Sequence, residues 1–116
     1  MGALLLLTNL PDADSAERLA TLLVEQRLAA CVNILAPCRS VYRWQDKIEA
    51  ANEVPMFIKT TTERYPALET AILAHHPYEL PEIVAVPIEC GLPKYLAWVA
   101  TETAFTDPAK TTDLTC

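Results

Sequence analysis

The sequence predicts an α+β fold of the ferredoxin-like class: an antiparallel sheet with two helices on one face, followed by a short C-terminal helix. Stretches typical of strands and helices alternate in the order β-α-β-β-α-β. The 116 residues, 52% of them apolar and 21% charged, suit one folded domain with a small core. We assign this domain to residues 1–106 and expect residues 107–116 to form a flexible tail.

The first strand and the first helix follow from apolar patterning. Residues 3–8 read ALLLLT, an apolar run typical of a strand buried on both faces. A helix over residues 15–29 follows, and Asp14 with Glu17 predicts a capping arrangement at its start. Its apolar residues recur at helical spacing: Leu19, Leu22, Leu23 and Leu28.

A long hairpin is predicted for the middle of the chain. Residues 30–44 are extended, with a bend at Pro37, because proline has no N–H for strand pairing. Residues 45–47 make the turn, and the return strand is best formed over 54–61. We expect residues 41–44 to pair with 54–58, and a bulge or an unpaired edge at Pro55.

The second half of the fold contains a helix, a strand and a shorter helix. The helix spans residues 63–75, with Pro66 in its first turn. The strand EIVAVPI occupies 82–88, and the last helix begins near Pro93. The residues predicted to pack inward on the two helices, with Trp98 beside the last of them, are Leu68, Ile72, Leu73, Leu96 and Val99.

Both faces of the predicted sheet are apolar, as the runs LLLL and IVAVPI show. Two helices cover only one face of a ferredoxin-like sheet. An apolar face of that size left in water is an interface or an aggregation hazard. The sequence therefore predicts an oligomer that covers it.

Composition excludes several function classes. The net charge of −6 repels a phosphate backbone, so nucleic acid is not an expected partner. No apolar run approaches the roughly 20 residues of a membrane helix, so no membrane association is expected. Gly2 and Gly91 are the only glycines, which excludes the glycine-rich phosphate loops.

The cysteines indicate the compartment. None of the four lies in a C-x-x-C pair, and no basic segment precedes an apolar run at the start of the chain. We therefore expect free thiols in a reducing, cytoplasmic compartment.

The paired histidines His75 and His76 are candidate metal ligands. Pro77 disfavours helical geometry at His76, so the helix should end at His75. A break between the two residues removes the roughly 100° separation that a helix would impose on their side chains. The alternative is that a histidine simply favours a helix C-terminus. Cys31 is the third candidate, because thiolate and imidazole suit copper or zinc; a buried apolar role is its alternative.

A second group of residues suits a small-ligand cleft. Its members are amphipathic or polar and lie near the ends of predicted elements: Trp44, Lys59, Tyr78, Glu82 and Trp98. The alternative is a structural ion pair with aromatic packing. No Ser-His-Asp or Cys-His-Asn order is recognisable, so we do not expect an enzyme.

Three stretches together are more specific than any single residue. EQRLAACVNI, VYRWQDKIEAANEVPMFIKTT and HHPYELPEIVAVPI closely resemble the CutA divalent-cation tolerance family, in the right order and over residues 4–99. The resemblance implies a ferredoxin-like homotrimer in which long hairpin strands extend each sheet into the neighbouring subunit. It implies a role in tolerance to copper and other divalent cations, without an enzymatic reaction.

The resemblance also implies a ligand set. Copper ligation in bacterial members is ascribed to the paired histidines, which correspond to His75 and His76, and to a cysteine of the first strand. That cysteine is replaced by Thr8, a much weaker ligand for a soft metal, whereas Cys31 keeps the cysteine of the AAC motif. We expect a trimeric divalent-cation tolerance protein that binds copper or zinc; the alternative is a small-ligand sensing or signalling trimer that uses the cleft between subunits.

Overall fold

Strands and helices alternate in the predicted order over residues 2–104, which are the residues described by the structure, a computed structural model. The predicted boundary at residue 106 and the predicted tail lie outside this range. The elements are β1 (Ala3–Leu10), α1 (Ala13–Glu25), β2 (Cys31–Ile34), β3 (Cys38–Trp44), β4 (Lys47–Thr61), α2 (Tyr65–His75), β5 (Val84–Pro87) and α3 (Pro93–Glu102). No helix in the described range is long and apolar enough to cross a membrane.

The sheet is antiparallel, with strand order β2-β4-β1-β5, and β3 pairs with the first half of β4. This arrangement confirms the predicted α+β fold. The extended stretch divides into β2 and β3 on either side of Pro37, in agreement with the predicted bend. The turn consists of Gln45 and Asp46, both with positive φ, and β4 begins at Lys47.

The register of the hairpin differs from the prediction. Residues 41–44 pair with residues 47–50, because a two-residue turn places Trp44 opposite Lys47. Residues 54–58 instead pair with β1. The register of this pairing continues through Pro55 without a bulge. The carbonyl of Pro55 accepts from the Leu35 N–H at 2.9 Å, so the missing proline donor faces the edge where β2 ends.

The pairing of β3 with residues 47–53 forms a two-stranded hairpin arm, defined here as residues 38–53. β1 begins to pair with β4 only at Val54, so the arm projects beyond the rest of the sheet. The molecule is accordingly elongated, 58 Å in its longest dimension. Apolar side chains on the arm are exposed, with Val41 at 69% and Ile48 at 65%.

One face of the sheet packs against α1 and α2 to form the core. Alternation along β1 and β4 directs Leu6, Met56 and Ile58 into it, all completely buried. Leu68 and Ile72 of α2 close the core, whereas Leu73 is 55% exposed and the prediction that it packs inward is wrong. At the start of α1 the cap is Asp12, whose carboxylate accepts from the Ser15 N–H, and not Asp14, because the helix begins earlier than predicted.

The opposite face of the sheet, which we call the open face, is apolar and partly exposed. Leu5 and Leu7 of β1 stand on it, and Leu7 pairs with Phe57 on one side and Val84 on the other. Val84 is 48% exposed. The third helix, α3, contacts β4 and β1, and its fully buried Val99 lies outside the core cluster of α1 and α2.

Candidate functional site

The imidazole of His76 connects the end of β1 to the segment that follows α2. As predicted, α2 ends at His75, and His76 has an extended backbone. Its Nδ1 accepts from the Tyr78 N–H at 3.1 Å, and its Nε2 lies 2.7 Å from the carbonyl oxygen of Asn9. Since Nδ1 accepts, the ring proton is on Nε2 and is donated to Asn9.

Burial reinforces this neutral form. The His76 side chain is only 9% exposed. Removal from water disfavours the charged imidazolium and lowers the pKa of His76 from its usual 6.5, although the Asn9 carbonyl and Glu53 act in the opposite direction. Both ring nitrogens of His76 are engaged, Nε2 with Asn9 and Nδ1 with Tyr78, so a metal ion would have to displace one of these two hydrogen bonds.

The connecting segment, residues 76–83 between α2 and β5, is held at two points. His76 binds the backbone of Asn9, and the Asn9 side chain donates from Nδ2 to Oε1 of Glu82 at 2.9 Å. The ring of Tyr78 lies against that of His76, with centroids 4.8 Å apart. One residue of β1 thus fixes both ends of the segment and presents Tyr78 and Glu82 on its surface.

A cavity of about 830 Å³ separates this segment from the hairpin arm. Its aromatic walls come from Tyr42 and Trp44 of β3 and from Tyr78. Tyr42 and Trp44 are two residues apart on one strand, so both face the cavity. The complete lining is Asn9, Ser40, Val41, Tyr42, Trp44, Ala51, Glu53, Pro77, Tyr78, Glu79, Leu80 and Glu82.

The charges around the cavity have one sign. Glu53, Glu79 and Glu82 contribute carboxylates, and no lysine, arginine or histidine appears among its lining residues within 2–104. Burial raises the pKa of Tyr78 to about 12, with further contributions from a hydrogen bond to Glu53 and from the charge of that carboxylate. The site thus combines aromatic faces with negative potential, and the Tyr78 hydroxyl keeps its proton at physiological pH.

The structure brings together three of the five predicted cleft residues. Trp44, Tyr78 and Glu82 line the cavity, whereas Lys59 and Trp98 do not. Lys59 lies six residues beyond Glu53 along β4, about 20 Å away at the usual strand rise, and its Nζ donates to Asn33 Oδ1 at 2.5 Å.

The remaining cleft candidate stands on a different element. Trp98 is on α3, where it is 43% exposed. Its ring packs on that of Tyr95, with centroids 5.6 Å apart. It takes part in a surface aromatic pair and not in the cavity.

The three predicted metal ligands do not form one metal site within a protomer. Cys31 pairs with Lys59, which is opposite Leu5, whereas His76 contacts Asn9, four residues and about 13 Å further along β1. His75 is exposed at the end of α2 and borders a separate groove between α2 and the residues that follow α1. No group of three or more His, Cys, Asp or Glu side chains in the described range is placed to hold a metal ion.

Sequence reasoning missed several residues of the cavity. The sequence does predict the place of Tyr42, because a residue two positions from Trp44 in the same strand must lie on the same face. No local pattern predicts the places of Glu53 and Asn9, since these depend on the pairing of β4 with β3 and β1.

Comparisons with known proteins identify the family. The sequence model of the CutA1 divalent ion tolerance protein matches residues 4–102. The divalent-cation tolerance protein CutA of Thermus thermophilus is 44% identical over 97 residues, which are 84% of this chain and 94% of that protein. Protein CutA of Mus musculus is 46% identical over 89 residues, which are 77% of this chain but only 50% of the mouse protein.

Solved structures agree. The crystal structure of CutA1 from the psychrotrophic bacterium Shewanella superimposes with a TM-score of 0.87 at 46% identity, covering 90% of this chain and 97% of that chain. Sequence and fold therefore give the same answer: the chain belongs to the CutA family of divalent-cation tolerance proteins.

Proposed function

We propose that this CutA-family protein works as a homotrimer in the response of the cell to divalent cations. The observation that carries the trimer is the open face, where Leu7, Phe57 and Val84 form a continuous apolar row across three strands. The hairpin arm adds to it, because a two-stranded ribbon with exposed Val41 and Ile48 is unstable in water on its own. Both surfaces are explained when each sheet packs against its neighbours.

The role we propose is not enzymatic and is cytoplasmic. The relatives carry the name of a divalent-cation tolerance protein and not of an enzyme. Cys31, Cys38 and Cys90 are free thiols, which suits a reducing compartment. Cell fractionation of a tagged chain tests the location, and recovery outside the cytoplasmic fraction would contradict it.

Copper or zinc is the proposed metal, bound as cargo between subunits. The donor atoms of one protomer within residues 2–104 do not fit a metal ion, since Cys31 is far from His76 and both nitrogens of His76 are engaged. His75 is exposed at the end of α2, and Cys31 lies on the open face that a neighbour would approach. A trimer supplies three copies of each donor, so a site of sufficient ligand number has to combine subunits.

Sedimentation of the full chain at micromolar concentration tests the assembly. We expect a species of three times the 12.8 kDa chain mass. The variant Phe57→Glu, which places a charge in the apolar row, should dissociate it. The matched variant Asn33→Glu changes the polar neighbour of Phe57 and should have the smaller effect. A folded wild-type monomer would refute the trimer.

Calorimetric titration with Cu(II) and Zn(II) tests the metal site. We expect weaker binding for His75→Ala and for Cys31→Ser than for wild type. His76→Ala is compared with them at equal trimer content, because this change also removes the contact with Asn9. Unchanged binding in the double variant of His75 and His76 would remove the paired histidines from the site.

The cavity favours a second candidate function, the sensing of a small ligand. Its volume of about 830 Å³ lies within the usual range for small-molecule sites, and Trp44, Tyr78 and Glu82 converge on it. A ligand of the native state raises the melting temperature, so a thermal-shift screen of metabolites tests this role. The absence of any shift across neutral, anionic and cationic compounds would refute it.

A further inference from the structure

We propose that the cavity between the hairpin arm and the connecting segment binds a small organic cation carrying an ammonium group. This inference rests on the second candidate function and names the chemistry of its ligand. It touches the proposed metal site at one residue, His76, whose ring also accepts from the Tyr78 N–H. Three features of the cavity favour such a ligand: its aromatic faces, its carboxylates and its fixed geometry.

The aromatic faces come from two sides. Tyr42 and Trp44 stand on the arm, 43% and 39% exposed, and Tyr78 stands opposite on the connecting segment. An ammonium ion over the face of a tryptophan or tyrosine is attracted by the ring quadrupole. Aromatic walls also remove water from around the ligand, and this strengthens the attraction. An anion would meet the negative ring faces and is disfavoured.

The carboxylates of Glu53, Glu79 and Glu82 give the cavity a formal charge of −3, with no basic side chain in its described lining to offset it. Repulsion among them is relieved by a bound cation. They are not placed as a metal-binding group, since no three acidic, histidine or cysteine side chains within residues 2–104 are close enough to share an ion. Separated carboxylates around aromatic faces suit a cation whose charge is carried on a carbon skeleton.

The geometry of the cavity is set before a ligand arrives. The His76 ring accepts a hydrogen bond from the Tyr78 N–H, and the Asn9 side chain donates one to the Glu82 carboxylate. The opposite wall is the paired strand β3, with Ser40 opposite Ala51 in the ladder. Because hydrogen bonds fix both walls, the ligand does not have to order them on binding, and less of its binding energy is lost.

Three five-carbon probes of matched length test the charge preference: cadaverine, pentanediol and glutarate. Their ends are cationic, neutral and anionic at neutral pH, since an alkyl ammonium has a pKa near 10, by analogy with the lysine side chain at about 10.4. Binding to the full chain is measured by calorimetry at constant ionic strength, with tetramethylammonium as a second cation. We expect saturable binding of cadaverine or tetramethylammonium, and none of pentanediol or glutarate.

Charge-matched variants locate the site. Glu79→Gln removes a cavity carboxylate that makes no hydrogen bond or ion pair within residues 2–104, whereas Glu89→Gln removes an exposed carboxylate outside the cavity. Trp44→Leu removes the largest aromatic face and should weaken cation binding about 3- to 30-fold. Glu79→Gln should weaken it measurably, and Glu89→Gln should leave it unchanged. Equal loss in the two glutamate variants would mean a general charge effect and would overturn the site.

The outcomes separate this inference from the functions on which it builds. Binding of glutarate or pentanediol alone would keep a ligand-sensing role and overturn the cationic ligand. Binding of none of the probes by a trimer that still takes up Cu(II) would overturn the inference and leave the divalent-cation role intact. Cation binding that survives Trp44→Leu and Glu79→Gln undiminished would place the ligand elsewhere and also overturn it.

Discussion

The Nε2 atom of His76 donates to the carbonyl oxygen of Asn9 at 2.7 Å, across 67 positions of sequence. The same ring accepts from the Tyr78 N–H through Nδ1. Only a neutral imidazole makes both bonds, because a protonated ring has no acceptor. The junction between β1 and the cavity wall therefore depends on the protonation state of one side chain.

Acidification should weaken the fold through His76. Its pKa is lowered below the usual 6.5 by burial, so the unfolded chain takes up a proton at higher pH than the native chain does. The free energy of unfolding should fall as pH drops below about 6.5 and level off below the native pKa. Urea denaturation at fixed protein concentration over this range measures the effect.

The neighbouring histidine provides the control. His76→Gln should remove most of the pH dependence in that window, whereas His75→Gln, at an exposed position, should leave it nearly intact. If both variants show the wild-type slope, other groups are responsible and the coupling through His76 is refuted.

The end of α2 shows how much of the site local sequence determines. Pro77 restricts the backbone of His76, so two adjacent residues are enough to predict the change from helix to extended chain. They do not predict which residue the His76 ring contacts. Asn9 reaches it because β1 is a central strand whose end meets the connecting segment, and strand order is not encoded in any short motif.

Register is the second limit of sequence reasoning. The apolar alternation of β4 correctly predicts a strand at residues 54–61, but alternation is satisfied by several partners. The turn at Gln45 and Asp46 selects the partner of β3 and thereby moves Glu53 into the cavity. Ligand chemistry and the AAC motif group Cys31 with the histidines, whereas pairing with Lys59 places it on the open face.

A buried hydroxyl without a partner predicts a stabilising substitution. Thr8 is 1% exposed, and its Oγ1 makes no hydrogen bond within the described residues. Thr8→Val keeps the shape of the side chain and removes the desolvated hydroxyl, so unfolding should cost about 1 kcal/mol more. Chemical denaturation under trimer conditions measures the change.

Thr60 supplies a matched control on the adjacent strand. It is equally buried, but its Oγ1 donates to the Leu28 carbonyl at 2.8 Å. Thr60→Val should therefore destabilise by about 1–3 kcal/mol, since it leaves a buried carbonyl short of a donor. Effects of the same sign in the two variants would show that packing, and not hydrogen bonding, decides both.

Alkaline titration should reveal Tyr78. Its pKa of about 12 exceeds the usual 10.0, so the native chain keeps this proton after the unfolded chain has lost it. The contribution to stability is complete below pH 10.0 and is lost as pH rises through about 12. Tyr78→Phe should remove the last tyrosinate transition from the ultraviolet titration. Tyr42→Phe, at the exposed tyrosine of the same cavity, should leave that last transition in place.

The turn of the hairpin arm predicts a second stabilising change. Gln45 and Asp46 have φ of 50° and 66°. This is the left-handed region, which costs conformational free energy for any residue that has a Cβ. Two-residue hairpin turns of this kind prefer glycine at the second position. Asp46→Gly should stabilise the protein by about 0.5–1 kcal/mol, because it relieves that cost without removing any strand pair. Asp46→Ala shortens the same side chain but keeps the Cβ, so it should bring no gain. Denaturation of both variants at one protein concentration compares them, and equal stability of the two would mean that the arm carries no backbone strain at this turn.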